Sequence, residues 1–315
     1  MSKVAIIGAG LVGRAWAISF ARGGCEVFLF DHEASQVDRA LAYVDSILGN
    51  LEINDLLNGE SPQAVRRRMR KVDDVRSALA DAVHVQENVP EELEIKRKLH
   101  AELDTLAGPD VVLASSTSAL LPSSIFEGLG GARRCLVVHP INPPYLIPAV
   151  EVVPSPWTDA EIVKRTVALM RNVGQAPIVM RREIDGFVMN RMQGALLEEA
   201  FRLVADGYAS SEDVDIGLRE GLALRWSFMG PFETIDLNAP GGVADYVRRY
   251  QQIYERLFPS MQRRVDWAGD VLTAVESDRR ARLASDKLGE RARWRDLRLM
   301  ALLAHKRRAA NDIGS

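Results

Sequence analysis

Apolar residues open the chain as an unbroken run, Val4 to Ile7, that passes directly into Gly8-Ala9-Gly10. A continuous apolar run entering glycines marks a strand buried on both faces of a parallel sheet, because a half-exposed strand would alternate with polar residues. Small residues interleaved with Trp16, Ile18 and Phe20 predict a helix that stops at Gly23-Gly24, and CEVFLFD predicts a second buried strand ending at Asp31. Helical spacing covers 34–57 and 60–70. The interval before the next strand-like run, Val83-His84-Val85, is therefore long for one crossover and predicts an inserted helical hairpin. Strand-like runs at 111–113, 135–139, 150–153 and 178–180 alternate with helical windows such as 91–106. Thr158 and Glu161 have the spacing of a capping box for a helix running to Asn172.

This alternation predicts an α/β fold with an open, doubly wound, Rossmann-type sheet. Strand signals cease near Arg182. Helical windows follow at 184–207, 211–220, 243–257, 260–285 and 291–309, broken by Gly230-Pro231 and by 238–242. The expected division is residues 1–183 for the sheet domain and 184–315 for an all-α domain, which suits a chain of 315 residues because one core rarely grows that large.

Composition narrows the partners. A net charge of −3 with 26% charged residues is too little positive charge for a nucleic-acid surface, and 47% hydrophobic residues excludes a disordered chain. No apolar run reaches membrane-spanning length and none precedes a small-residue cleavage site, so neither membrane insertion nor export is expected. Cys25 and Cys135 are too few for a disulfide framework or a zinc cluster, and a cytoplasmic location without a bound metal is the expectation.

Gly8, Gly10 and Gly13 make a G-x-G-x-x-G pattern between the first strand and a helix. In that context the first glycine permits a tight turn, the second lets the backbone approach a pyrophosphate, and the third lets helix and strand pack closely. Leu11 and Val12 would add backbone contacts at the helix N-terminus, where phosphate is attracted. Asp31 closes the second strand 18 residues after Gly13. A carboxylate there accepts the adenosine ribose hydroxyls and repels a 2′-phosphate, so the cofactor is expected to be NAD rather than NADP.

His139 ends the run CLVV just before Pro140, at the kind of strand edge where such sheets bind ligands. Glu151 lies twelve residues later inside IPAVEVVP, where an ionised carboxylate is costly unless paired. If Glu151 holds one ring nitrogen, the other nitrogen of His139 can accept a hydroxyl proton as a general base. On these residues alone, a structural histidine beside an unrelated glutamate accounts for the pattern equally well.

The runs SSTSAL at 115–120, HPINPP at 139–144, VEVVP at 150–154 and DGFVMNR at 185–191 resemble the short-chain L-3-hydroxyacyl-CoA dehydrogenase family in order and spacing. The resemblance implies a catalytic set of Ser118, His139, Glu151 and Asn190, with Ser118 and Asn190 binding the substrate oxygen as charge develops on it. It also implies that Glu91 and Lys96 approach the nicotinamide ribose. Within the family the chain looks most like the lambda-crystallin branch, the L-gulonate 3-dehydrogenases, through HPINPPYLIPAVE, GFVMNR, EGLALR and RARWRD at 291–296. That likeness implies oxidation of the 3-hydroxyl of a small free L-3-hydroxy acid, with a 3-hydroxyacyl-CoA thioester as the alternative substrate. Carnitine 3-dehydrogenase and a non-catalytic, lens-type NAD-binding role rank below both.

Arg225, before Met229-Gly230-Pro231-Phe232, could pair bidentately with a free substrate carboxylate, which a thioester lacks. An ion pair with Glu220 or Glu233 explains it as well. The basic run Arg66, Arg67, Arg68, Arg70 and Lys71 reads first as a solvated helix face over Val65, Met69 and Val72. The amphipathic windows of the second domain exceed what one small-substrate site needs, and a homodimer through that domain is expected.

Overall fold

The computed structural model describes residues 2–314. Its strands are β1 (Lys3–Ile7), β2 (Glu26–Phe30), β3 (Met69–Lys71), β4 (His84–Glu87), β5 (Val112–Ser115), β6 (Cys135–Pro140), β7 (Ala149–Pro154) and β8 (Ala176–Val179). They form one sheet in the order β3-β2-β1-β4-β5-β6-β7-β8. The first six are parallel, whereas β7 runs antiparallel to β6 and β8 runs alongside β7. The chain winds outward from β1 to β3 and returns to β4. This leaves a topological switch between β1 and β4 where ligands bind beyond the strands' carboxyl ends.

Strand periodicity explains the unbroken apolar run of β1. Val4 and Ile6 join the hydrophobic cluster on one face of the sheet, Ala5 and Ile7 the cluster on the other. The helices around it are α1 (Leu11–Arg22), α2 (Ala34–Ile53), α3 (Pro62–Arg67), α4 (Val75–Leu79), α5 (Leu93–Leu106), α6 (Pro122–Phe126) and α7 (Ala160–Asn172). Trp16 and Phe20 of α1, Val44 and Leu48 of α2 and Met170 of α7 pack on the first face. Leu99 and Leu103 of α5 and Phe126 of α6 pack on the second. With α2 and α3 inserted between β2 and β3, the α/β class and doubly wound sheet are as expected.

Two local expectations are corrected. The helix expected over 60–70 ends at Arg67, because Met69 to Lys71 pair in parallel with Val27 to Leu29 as an edge strand. Charged residues suit that edge, since they discourage pairing with another chain. The basic run is also largely neutralised: Arg66 pairs with Asp45, Arg68 with Glu60, Arg70 with Glu26 and Lys71 with Asp38. The capping box at Thr158 does not form. Asp159 occupies the N-cap of α7, while the Thr158 hydroxyl donates to the Cys135 carbonyl at 2.7 Å and accepts from the Ser155 N–H at 2.8 Å.

The main elements after β8 are helical: α8 (Met189–Ala205), α9 (Ser211–Ile216), a π-helical turn (Gly217–Leu222), α10 (Ala223–Trp226), α11 (Pro231–Leu237), α12 (Gly242–Met261), α13 (Asp270–Arg282) and α14 (Leu288–Ile313). The window read as one helix over 260–285 is split. Glu198 of α8 accepts from the Val265 N–H and the Trp267 indole, both at 2.9 Å, and so holds the intervening segment out of helical register. The chain forms two compact units. One runs through Val188 and includes Asp296–His305, and the other holds Met189–Arg295 and the residues from Lys306 onward. Met300 of α14 is fully buried within the core of the first unit.

Candidate active site

The glycine loop is built by close approach. Gly8 has φ +89°, a conformation that side chains disfavour, and a Cβ there would lie 2.8 Å from the carbonyl carbon and oxygen of Asn88. A Cβ on Gly13 would lie 1.9 Å from the Gly8 carbonyl oxygen, so α1 can leave the strand at this distance only without a side chain. Gly10 differs: its nearest neighbour would be Gln36 Nε2 at 3.9 Å, which leaves the backbone open to the cleft. Leu11 and Val12 form the first turn of α1, whose N–H groups have no partners within the helix. Asp31 is held by the Ala9 N–H at 2.8 Å and the Glu33 N–H at 3.0 Å. A cleft of about 530 Å³ is lined by Gly8, Gly10, Asp31, Gln36, Asn88 and Pro90 among others. Open backbone, a helix N-terminus and a fixed carboxylate in one cleft fit a dinucleotide.

Beside this cleft a charged network is built into the sheet. Lys96 is 1% exposed, and its ammonium donates to Glu87 at 2.8 Å and to the Val89 carbonyl at 3.1 Å, with Glu91 at 3.4 Å. Glu87 also accepts from the Ser115 hydroxyl at 2.5 Å and lies 3.4 Å from His100 Nε2. Burial opposes the charge of Glu87, but the His100 hydrogen bond and the Lys96 ammonium hold its carboxyl below the usual range. Glu91 accepts from the Thr117 hydroxyl at 2.6 Å and from the N–H groups of Ser118 and Ala119 at 2.8 and 3.1 Å. Burial opposes its charge too, and those donors with Lys96 outweigh it. Glu91 thus clamps the loop that carries Ser118.

His139 and Glu151 are direct register partners in the antiparallel β6–β7 pair. His139 Nδ1 lies 2.7 Å from Glu151 Oε2, and the other carboxylate oxygen accepts from the Val188 N–H at 2.6 Å. Glu151 is fully buried, and the ring of Phe187 stands 5.6 Å from that of His139. With Glu151 ionised and the imidazole neutral, Nδ1 carries the proton and Nε2 keeps a lone pair. Ser118 lies three residues beyond Ser115, which pairs with Val137, so it shares the carboxyl edge of the sheet with His139. Its side chain is exposed. Asn190, half-buried in the first turn of α8, and Arg225, exposed in α10, belong to the second unit.

Neither ion pair weighed for Arg225 forms. Glu220 pairs with Arg219 at 2.7 Å, and Arg225 makes no salt bridge among the described residues. Glu87, Gln36, Phe187 and Val188 were not read as site residues. Glu151 stands out as an acid inside an apolar strand, whereas Glu87 closes the strand HVQE, which is too polar to make an acid conspicuous.

A family model described as 3-hydroxyacyl-CoA dehydrogenase, NAD binding domain, matches residues 3–184, and one described as 3-hydroxyacyl-CoA dehydrogenase, C-terminal domain, matches residues 186–273. A lambda-crystallin homolog from Bos taurus is 44% identical, covering 95% of this chain and 94% of that protein. A 3-hydroxyacyl-CoA dehydrogenase from Gibberella moniliformis is 37% identical, covering 98% of this chain and 96% of that one. The solved structure of 5-formyl-3-hydroxy-2-methylpyridine 4-carboxylic acid 5-dehydrogenase, described as an NAD+ dependent dismutase, superposes with a TM-score of 0.82 at 26% identity, covering 98% of each chain.

Proposed function

The chain belongs to the 3-hydroxyacyl-CoA dehydrogenase family and is an NAD-dependent oxidoreductase acting on CH–OH; from that premise we propose that it oxidises the 3-hydroxyl of small free L-3-hydroxy acids, of the L-gulonate kind, to 3-keto acids. The observation that carries the reading is the buried His139–Glu151 pair, whose Nε2 has no hydrogen-bond partner among the described residues and lies at the carboxyl edge of the sheet. His139 Nε2 takes the hydroxyl proton. Glu151 keeps the ring in the required tautomer and stabilises the imidazolium that results. NAD, when bound there, would supply the acceptor for the hydride from C3. Ser118 and Asn190 donate to the substrate oxygen. Gly8, Gly10, Leu11, Val12 and Gly13 would accommodate the diphosphate, Asp31 the adenosine ribose and Glu91 the side of the nicotinamide ribose, whereas Lys96, expected there too, is buried against Glu87 and acts by holding Glu91.

For the substrate class, the supports are the likeness to the lambda-crystallin homolog across nearly the whole chain, the free carboxylic acid in the name of the solved dehydrogenase, and an Arg225 guanidinium with no salt-bridge partner among the described residues. A second reading, oxidation of a CoA thioester, is favoured by the name of the Gibberella relative. Arg225→Leu separates them. We expect KM for a free 3-hydroxy acid to rise about ten-fold or more, the worth of a charge-assisted hydrogen bond, with the thioester unaffected. An unchanged KM for the free acid removes the carboxylate role.

In this reading residues 1–183 serve the cofactor, and 184–315 serve the substrate and subunit pairing. Val243, Val247, Tyr250, Tyr254, Leu257 and Met261 form a stripe along α12 at alternating spacings of four and three, and every one is at least 37% exposed. An apolar stripe of this length calls for a partner, and a second copy of the chain is the occupant we assign; sedimentation as a monomer at micromolar concentration would contradict it. A reducing, cytoplasmic setting suits Cys25 and Cys135, both buried thiols whose pKa burial raises to about 11 and about 12.

A further inference from the structure

Gln36 lies in the first turn of α2 and lines the same cleft as Gly8, Gly10 and Asp31. Among the described residues its Nε2 is the one atom within 4 Å of the point a Cβ on Gly10 would occupy, Gly10's own chain neighbours aside. Gly10 is the glycine that lets a diphosphate approach the backbone, so the amide of Gln36 stands over the place where that anion would lie.

Which end of the amide faces the cleft follows from its neighbour. Arg39 Nε and Nη2 lie 2.8 and 2.5 Å from Gln36 Oε1. A guanidinium only donates, so the atom facing it must be the carbonyl oxygen, and the NH2 group is turned toward Gly10. Arg39 is itself held, its Nη1 donating to the Ser35 hydroxyl at 3.0 Å and its Nη2 to Glu33 at 3.0 Å. Among the described residues Gln36 Nε2 has no hydrogen-bond partner, so a donor is aimed into the cleft with its orientation already set.

We propose that Gln36 donates a hydrogen bond to the diphosphate of NAD and that Arg39 is the positioning residue that fixes its amide. The arrangement also bears on NAD over NADP. Arg39 is the kind of residue that accommodates a 2′-phosphate, but here Glu33, Ser35 and Gln36 already engage its guanidinium.

The test compares dissociation constants for NADH, ADP and adenosine in the full-length wild type and in Gln36→Glu, Gln36→Leu and Arg39→Leu. Arg39 is more than half exposed and Gln36 half-buried at the cleft surface, so these substitutions leave the core intact and melting curves should be little changed. Gln36→Glu keeps the oxygen that faces Arg39 but turns a second carboxylate oxygen toward the phosphates. It should weaken NADH and ADP by about ten-fold or more, Gln36→Leu somewhat less, and Arg39→Leu least, with adenosine unaffected throughout. If Gln36 merely braced Arg39, Gln36→Glu would preserve that brace. NADH binding within about two-fold of wild type in Gln36→Glu, or an equal loss for adenosine, overturns the proposal.

Discussion

His139→Asn is expected to lower kcat by about a hundred- to ten-thousand-fold, the usual contribution of a positioned general base, while NADH binding stays within about two-fold. Asparagine is chosen over alanine for a structural reason. Glu151 is fully buried and loses the donor on Oε2 if the side chain is truncated, and an unpaired buried carboxylate would destabilise the sheet and blur the reading. The asparagine amide can replace the Nδ1 donor but has nothing in place of Nε2. Activity should therefore fall while the melting temperature holds. A kcat within about ten-fold of wild type would mean that another group takes the proton.

Gly13→Ala should be the most damaging single methyl group in the cofactor unit. Its Cβ would overlap the Gly8 carbonyl oxygen at 1.9 Å, and both atoms belong to backbone that packs α1 on β1. Relief requires the helix to move off the strand, which disturbs the contacts of Trp16, Ile18 and Phe20 with the sheet. Overpacking of this kind costs about 1–3 kcal/mol and more where backbone must shift, and NADH binding should fall at least about ten-fold because the helix N-terminus moves with it. Gly10→Ala provides the contrast. The added methyl meets nothing closer than 3.9 Å, so the variant should melt like wild type and lose only cofactor affinity. Equal melting temperatures for Gly13→Ala and wild type would contradict the packing account.

How much of this was legible in the sequence depended on range. Strands β1 and β2 and the glycine loop between them are local, and the hydrophobic pattern places each strand end within one residue, although β2 alternates between buried and half-buried positions. Glu151 could be read because a carboxylate inside IPAVEVVP has to be paired, and His139 is its register partner across β6 and β7. What escaped depends on contacts made elsewhere. Strand β3 is three residues long, too short to show a period of two, and exists because β2 leaves an edge to pair with. Lys96 sits at helical spacing among charged residues and reads as surface, yet Glu87 of β4 draws its ammonium into the interior. Thr158 has the spacing of a cap but is taken by the Cys135 carbonyl. Gln36 gives no signal by itself, because its place depends on Gly10 from another element and on Arg39 one turn along α2.

The most direct test of the central claim is kcat/KM from initial rates of NADH formation, with L-gulonate and L-3-hydroxybutyrate set beside L-3-hydroxybutyryl-CoA and L-carnitine. The account predicts the highest values for L-gulonate and L-3-hydroxybutyrate. A clear preference for the thioester would contradict it, placing the chain with the acyl-CoA members of its family and removing the role assigned to Arg225.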